Sequence, residues 1–135
     1  MKKLFSYFFC FTLVCFFANS IRAQEANLIN GFEDWYVFSI KQNNANVCFL
    51  SSKATKSMGN YSKRGEVLFI VTHRPAEKEF GVINFRTGYV FKESLDAMIT
   101  IGDRKFSLFT QGSDGWAKDS ETDKSIVKSM IHGSK

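Results

Sequence analysis

The sequence is poor in the residues that punctuate, staple or catalyse. It has one proline, Pro75, and nine glycines in 135 residues. The glycines are scattered, which excludes a collagenous or low-complexity chain and any glycine-rich loop of the phosphate-cradling kind. It has three cysteines and two histidines with none of the short spacings that hold zinc, so neither a metal nor any other cofactor is expected. Charge of one sign is also scarce. The formal +5 includes Lys2, Lys3 and Arg22; without them 15 basic residues face 13 acidic ones, a net of +2. The signs alternate along the chain, as in Lys63-Arg64-Gly65-Glu66 and Glu77-Lys78-Glu79. That is the pattern of a solvated surface and not of a phosphate-tracking patch, so nucleic acid is not an expected partner.

What is present begins at the amino terminus. Lys2 and Lys3 precede an uncharged apolar run from Leu4 to Ala18, followed by the polar stretch Asn19 to Ala23. This is the layout of a secretory signal peptide, with cleavage expected after Ala23 at Ile21-Arg22-Ala23. The run is about 15 residues long, short of the roughly 20 that a spanning helix needs. Phe9 and Val14 precede Cys10 and Cys15 where a lipidation motif needs a small residue. Residues 1–23 therefore read as a leader and 24–135 as one small domain, located in the periplasm, at the outer membrane or outside the cell. Two of the cysteines leave with the leader, so Cys48 is alone in a compartment that permits disulfides. Burial, an intermolecular disulfide and a missing partner remain its three readings.

Short apolar runs separated by turn residues organise the remainder as strands. Val67, Leu68, Phe69, Ile70 and Val71 run without a polar break inside Glu66 to Arg74, which reads as a central strand buried on both faces. The polar link Pro75 to Glu79 leads into a second strand, Phe80 to Arg86, completing a hairpin. A better specified hairpin joins Ala97–Ile101 to Arg104–Thr110 through Gly102-Asp103, a pair suited to a type II′ turn. Placing Ile101 opposite Arg104 brings Ile99 to Phe106 and Ala97 to Leu108, so the apolar positions coincide on one face. Phe32–Ile40 and Asn46–Ser52 read as two further strands about the turn Lys41 to Ala45, with Trp35, Val37 and Val47 in a core.

Only the end of the chain reads as helical. Ser120 is the expected N-cap, with Asp123 three residues on; Glu121 and Asp123 complement the helix amino terminus, and Gly133 follows the last periodic residue. Ile126, Val127, Met130 and Ile131 form one apolar stripe that docks the helix on a sheet. A mostly antiparallel, mainly β domain covered by one helix follows.

Candidate functional residues are few. His73 shares a strand face with Val67, Phe69 and Val71 and is expected to be structural, bonded to a turn carbonyl, before it is a base. Cys48 with His73 makes a thiol nucleophile pair only in principle, because no third orienting group is evident, and no enzyme is expected. Trp116, in the loop Gly112 to Asp119, is either an exposed recognition aromatic or a cap folded back on the core. His73, Arg74 and Trp116 are the candidate surface contacts.

Several segments carry a resemblance: Phe32-Glu33-Asp34-Trp35, Val47-Cys48-Phe49, the block from Gly59 to Lys78, Gly88-Tyr89, Lys105 to Thr110, Trp116-Ala117 and Thr122-Asp123-Lys124. Together they resemble the invasion-associated locus B family of alphaproteobacteria over essentially all of residues 24–135. The resemblance implies an antiparallel immunoglobulin-like β-sandwich with one short C-terminal helix, periplasmic or peripherally associated with the outer membrane. It implies contact with envelope or host-surface proteins, and it carries no catalytic residue. Gly102-Asp103 reverses the Asp-Gly order expected in the family, and family members continue past the helix with further strands and a late cysteine. A truncated product and a complete shorter domain both fit that difference. An alternative function is a periplasmic small-ligand carrier, motivated by Phe69, Phe85, Phe106 and Phe109, which would need a cavity among them.

Mass spectrometry of the exported protein is expected to find Gln24 at the amino terminus. An intact Met1 would remove the leader and everything inferred from it about location.

Overall fold

The computed structural model describes residues 25–133; the expected leader, its cleavage site, Cys10 and Cys15 lie outside them. Strands β1 (Asn27–Phe32), β2 (Trp35–Gln42), β3 (Ala45–Lys53), β4 (Leu68–Arg74) and β5 (Glu79–Arg86) follow one another as a meander. Then come β6 (Ala97–Ile101), β7 (Arg104–Gln111), β8 (Asp114–Trp116) and the helix α1 (Ser120–His132). All eight strands are antiparallel and hydrogen-bonded in the order β1-β2-β3-β4-β5-β8-β7-β6. The mainly β architecture with one C-terminal helix is thus present. An immunoglobulin-like packing of two layers is compatible with this single sheet, because residues of β6 come within one groove of Trp35 and Phe69 on β2 and β4.

Turn chemistry sets much of the register. Asn43 and Asn44 both adopt positive φ, 50° and 64°, as a two-residue type I′ turn demands, and pair Gln42 with Ala45. Gly102 has φ 57°, and the hairpin it closes pairs Ile101 with Arg104, Ile99 with Phe106 and Ala97 with Leu108, the register expected from the apolar pattern. The run expected as one strand from Phe32 to Ile40 is instead broken. Glu33, at φ 52°, and Asp34 turn the chain back, so Phe32 ends a strand β1 that the sequence reading lacked. The strand expected from Glu66 begins at Leu68, and its residues other than Val71 are half-buried, so β4 is not sealed on both faces.

Buried Val47 lies on one face of the sheet, while the main core cluster lies on the other, the inner face. Val71, Ile83, Leu108 and Ile126 are buried there, with Leu50, Phe69, Phe85, Ile99, Ile101, Phe106, Val127 and Met130 packed around them. Phe109 departs from the expected aromatic interior: it pairs with Trp116 on the opposite face and is 43% exposed. Phe38 and Phe49 stack at 5.1 Å on that same outer face.

The helix is capped by Asp119 and not by Ser120. The Asp119 carboxylate accepts from the Thr122 N–H at 2.8 Å, the Ncap-to-N3 bond that an aspartate makes well. That bond holds the Asp119 carboxyl below its usual range. Asp123, expected merely to face the helix dipole, is buried and accepts the Ile83 N–H at 2.8 Å. It thereby ties α1 to the middle of β5. Gly133 ends the helix with φ −72°, its N–H on the Ser129 carbonyl. Ile126 is buried, but Ile131, expected to complete the docking stripe, is 73% exposed.

Outside the sheet, residues 54–67 are held by a clasp. The Arg64 guanidinium lies 5.2 Å from both the Tyr61 and Tyr89 ring centres and donates to the Thr87 carbonyl at 2.8 Å. The Gly65 N–H donates to the Gly88 carbonyl at 2.8 Å. Gly88 has φ 73° and its backbone lies against that of Gly65. A β-carbon at Gly88 meets both strain and backbone collision, which no rotamer change relieves. Gly88→Ala is expected to cost about 2 kcal/mol or more in chemical denaturation. A cost near zero would mean that the clasp contributes nothing to folding.

Candidate functional site

The inner face is not fully covered. Between β2–β4 on one side and β6 with the C-terminal half of α1 on the other lies an apolar groove of about 470 Å³, lined by Trp35, Leu50, Val71, Ile101, Met130 and Ile131, among others. Each wall is positioned by simple rules. Trp35 opens β2 directly after the Glu33-Asp34 turn and meets Phe69 edge-on at 6.2 Å. Leu50 and Val71 are cross-strand partners, so they share the inner face. Met130 and Ile131 lie on the last turn of the helix, beyond the point where Asp123 and Ile126 hold it to the sheet.

A continuation of the groove is lined by Ile99, Thr100 and Ile101 together with Trp35, Phe69 and Met130. Ile99 and Ile101 share the inner face of β6, and Thr100 lies between them in the groove wall. Among the described residues β6 ends the sheet, bonded to β7 on one side and unpaired on the other. At the Ile101 end the walls become polar and largely basic, with Arg104, Lys128 and His132 beside Asp103. Arg104 is held there by a 2.8 Å bond to the Ser129 hydroxyl and by the Phe106 ring beneath it.

The sequence candidates separate on this frame. Cys48 and His73 are directly opposed on β3 and β4, which places their side chains on one face with β-carbons about 5 Å apart. Cys48 is half-buried and, among the described residues, free of any disulfide. His73 lines the groove, and its ring lies 6.2 Å from that of Phe80. Among the described residues the expected bond from His73 to a turn carbonyl is not formed, and its side chain lines the groove instead. Arg74, the next residue, lies outside the groove lining and is engaged with Glu79 at 3.1 Å. Trp116 is not in a loop. It closes β8, half-buried between Asn84 and Phe109 on the far side of the sheet. The three proposed contact residues therefore do not form one surface; only His73 belongs to the groove.

Comparison with protein-family models, curated proteins and solved structures found no match. Among the described residues no group of His, Cys, Asp and Glu is arranged to hold a metal ion, and no helix is long and apolar enough to cross a membrane.

Sequence reasoning missed the groove because its walls come from β2, β3, β4, β6 and α1, which no local pattern joins. It also missed the role of Asp123. Burial pushes that carboxyl above its usual value of 3.8, opposed by the Ile83 hydrogen bond, with further upward pressure from Asp119 and Glu79. A carboxyl raised in the folded state favours folding most below its unfolded value and loses that contribution as pH rises through the folded one. Asp123→Asn keeps an oxygen for Ile83 and removes the charge. Its stability relative to the wild type is expected to improve as pH rises from about 4 toward neutrality. Asp123→Ala leaves the buried Ile83 N–H unpaired and is expected to cost about 1–3 kcal/mol at every pH. Denaturation curves at several pH values check both; identical pH dependence in the wild type and the Asn variant would contradict the burial of charge.

Proposed function

We propose that this chain is an exported, non-enzymatic envelope protein that works by surface contact through the groove and its rim. The observation that carries this reading is the groove itself: an apolar trough beside a bare strand edge, with Phe32 and Ile131 left 59% and 73% exposed nearby. Contiguous apolar surface rimmed by polar groups is costly to leave in water and marks a place where something binds. The sequence resemblance to the invasion-associated locus B family supports an envelope setting, with envelope or host-surface proteins as partners and an immunoglobulin-like relation for the fold. The Cys48–His73 pair supports catalysis poorly, since among the described residues no hydrogen-bonded group orients either side chain.

A second reading, a carrier of a small apolar ligand, is favoured by the groove's size, which falls in the usual range for ligand sites. Of the four phenylalanines that suggested it, none lines the main groove and only Phe69 lines its continuation.

A photo-crosslinking residue at Ile131 is expected to capture a polypeptide partner in the periplasmic or outer-membrane fraction, whereas one at Met58, 79% exposed on the 54–67 loop, is not. Retention of the chain in the cytosol, or equal capture from both positions, would defeat the proposal. A small apolar molecule retained in native mass spectrometry, without any crosslink from Ile131, would favour the carrier.

A further inference from the structure

The groove has a counterpart on the same chain. Among the described residues strand β1 is the other free edge of the sheet, and all six of its residues are exposed. It carries no charge and no proline, the usual means of blunting an edge. Leu28, Ile29 and Phe32 are each 59% exposed. Phe32 is the cross-strand partner of Trp35, so both rings lie on the inner face and Phe32 stands beside the groove that Trp35 lines. The chain thus presents, next to each other, a protruding aromatic with an uncovered strand and an apolar trough with an uncovered strand edge.

Charge follows the same division. The β1–β2 turn ends in the exposed carboxylate of Asp34, while the Ile101 end of the groove carries Arg104, Lys128 and His132 against one aspartate. Resting on the reading that this surface works by contact, we propose that its partner is a second copy of this chain. Two copies pair about a two-fold axis, each laying Phe32 and the β1 edge of its first hairpin into the groove of the other, along β6. A two-fold contact needs donor and receiver on a single self-complementary patch, which the adjacency of Phe32 and Trp35 provides. A buried aromatic anchor filling a pocket is the usual centre of such an interface. The edge groups of β1 and β6 gain hydrogen-bond partners that an apolar ligand cannot supply.

Sedimentation equilibrium of the exported, processed protein tests this. The wild type is expected to show a concentration-dependent monomer–dimer equilibrium. Phe32→Glu, at an exposed position, is expected to weaken the dimer about 30-fold or more while leaving the circular dichroism spectrum unchanged. Asp34→Lys and Lys128→Glu are each expected to weaken it, and the two together to restore it. A wild type that stays monomeric at all accessible concentrations overturns the inference, as does a dimer indifferent to Phe32→Glu. A monomer crosslinked from Ile131 to a different envelope polypeptide leaves the contact reading standing and removes the second copy. A monomer retaining an apolar molecule removes both.

Discussion

The inner face of the sheet is covered by α1 and by β6, which lies across the groove from β2 and β4, and the two together leave it incompletely closed. The buried bond between Asp123 and the Ile83 N–H decides where the available cover goes. It fixes the amino-terminal half of α1 over β5, so that Ile126 seals Ile83, Val71 and Leu108. The remaining half reaches only as far as Met130 and Ile131, and the inner faces of β2 to β4 stay open beyond it. Shortage of cover and the position of one carboxylate are therefore enough to produce the groove.

The parts of the fold that were legible in the sequence are those specified by neighbours in the chain. The β6–β7 hairpin was readable residue by residue because a two-residue turn and a period of two leave one register that keeps Ala97, Ile99, Phe106 and Leu108 together. The first hairpin was not readable. Glu33 takes a positive φ that its side chain does not advertise, and Asn27–Phe32 has no alternation to mark it as a strand. Asp119 and Ser120 are both good caps, and only the geometry of the Thr122 N–H distinguishes them. Trp116 looked like a loop residue because a three-residue strand is too short to show any period.

The groove and the clasp around Arg64 were illegible for a different reason. Trp35, Leu50, Val71, Ile101 and Met130 are spread over nearly a hundred positions, and each is individually an ordinary core residue. Arg64 sits in a run of alternating charge that reads as solvated surface, yet its guanidinium is shared by Tyr61, Tyr89 and the Thr87 carbonyl. The same limit applies to Cys48 and His73. Their opposition across β3 and β4 is a fact of register, and no spacing in the sequence encodes it.

The strand order also imposes a timetable on a chain that emerges amino terminus first. Strands β1 to β5 can zip up in turn, each against the one just delivered, across turns of two to four residues except for the longer 54–67 segment between β3 and β4. The second side of β5 must then wait for β8, which arrives only after the chain has travelled out to β6 and back. The helix that seals Val71 and Ile83 follows only after β8. Until β8 and α1 have emerged the nascent sheet keeps its oily side uncovered, so their arrival, and not the start of pairing, governs how long it is vulnerable to sticking to other unfinished chains.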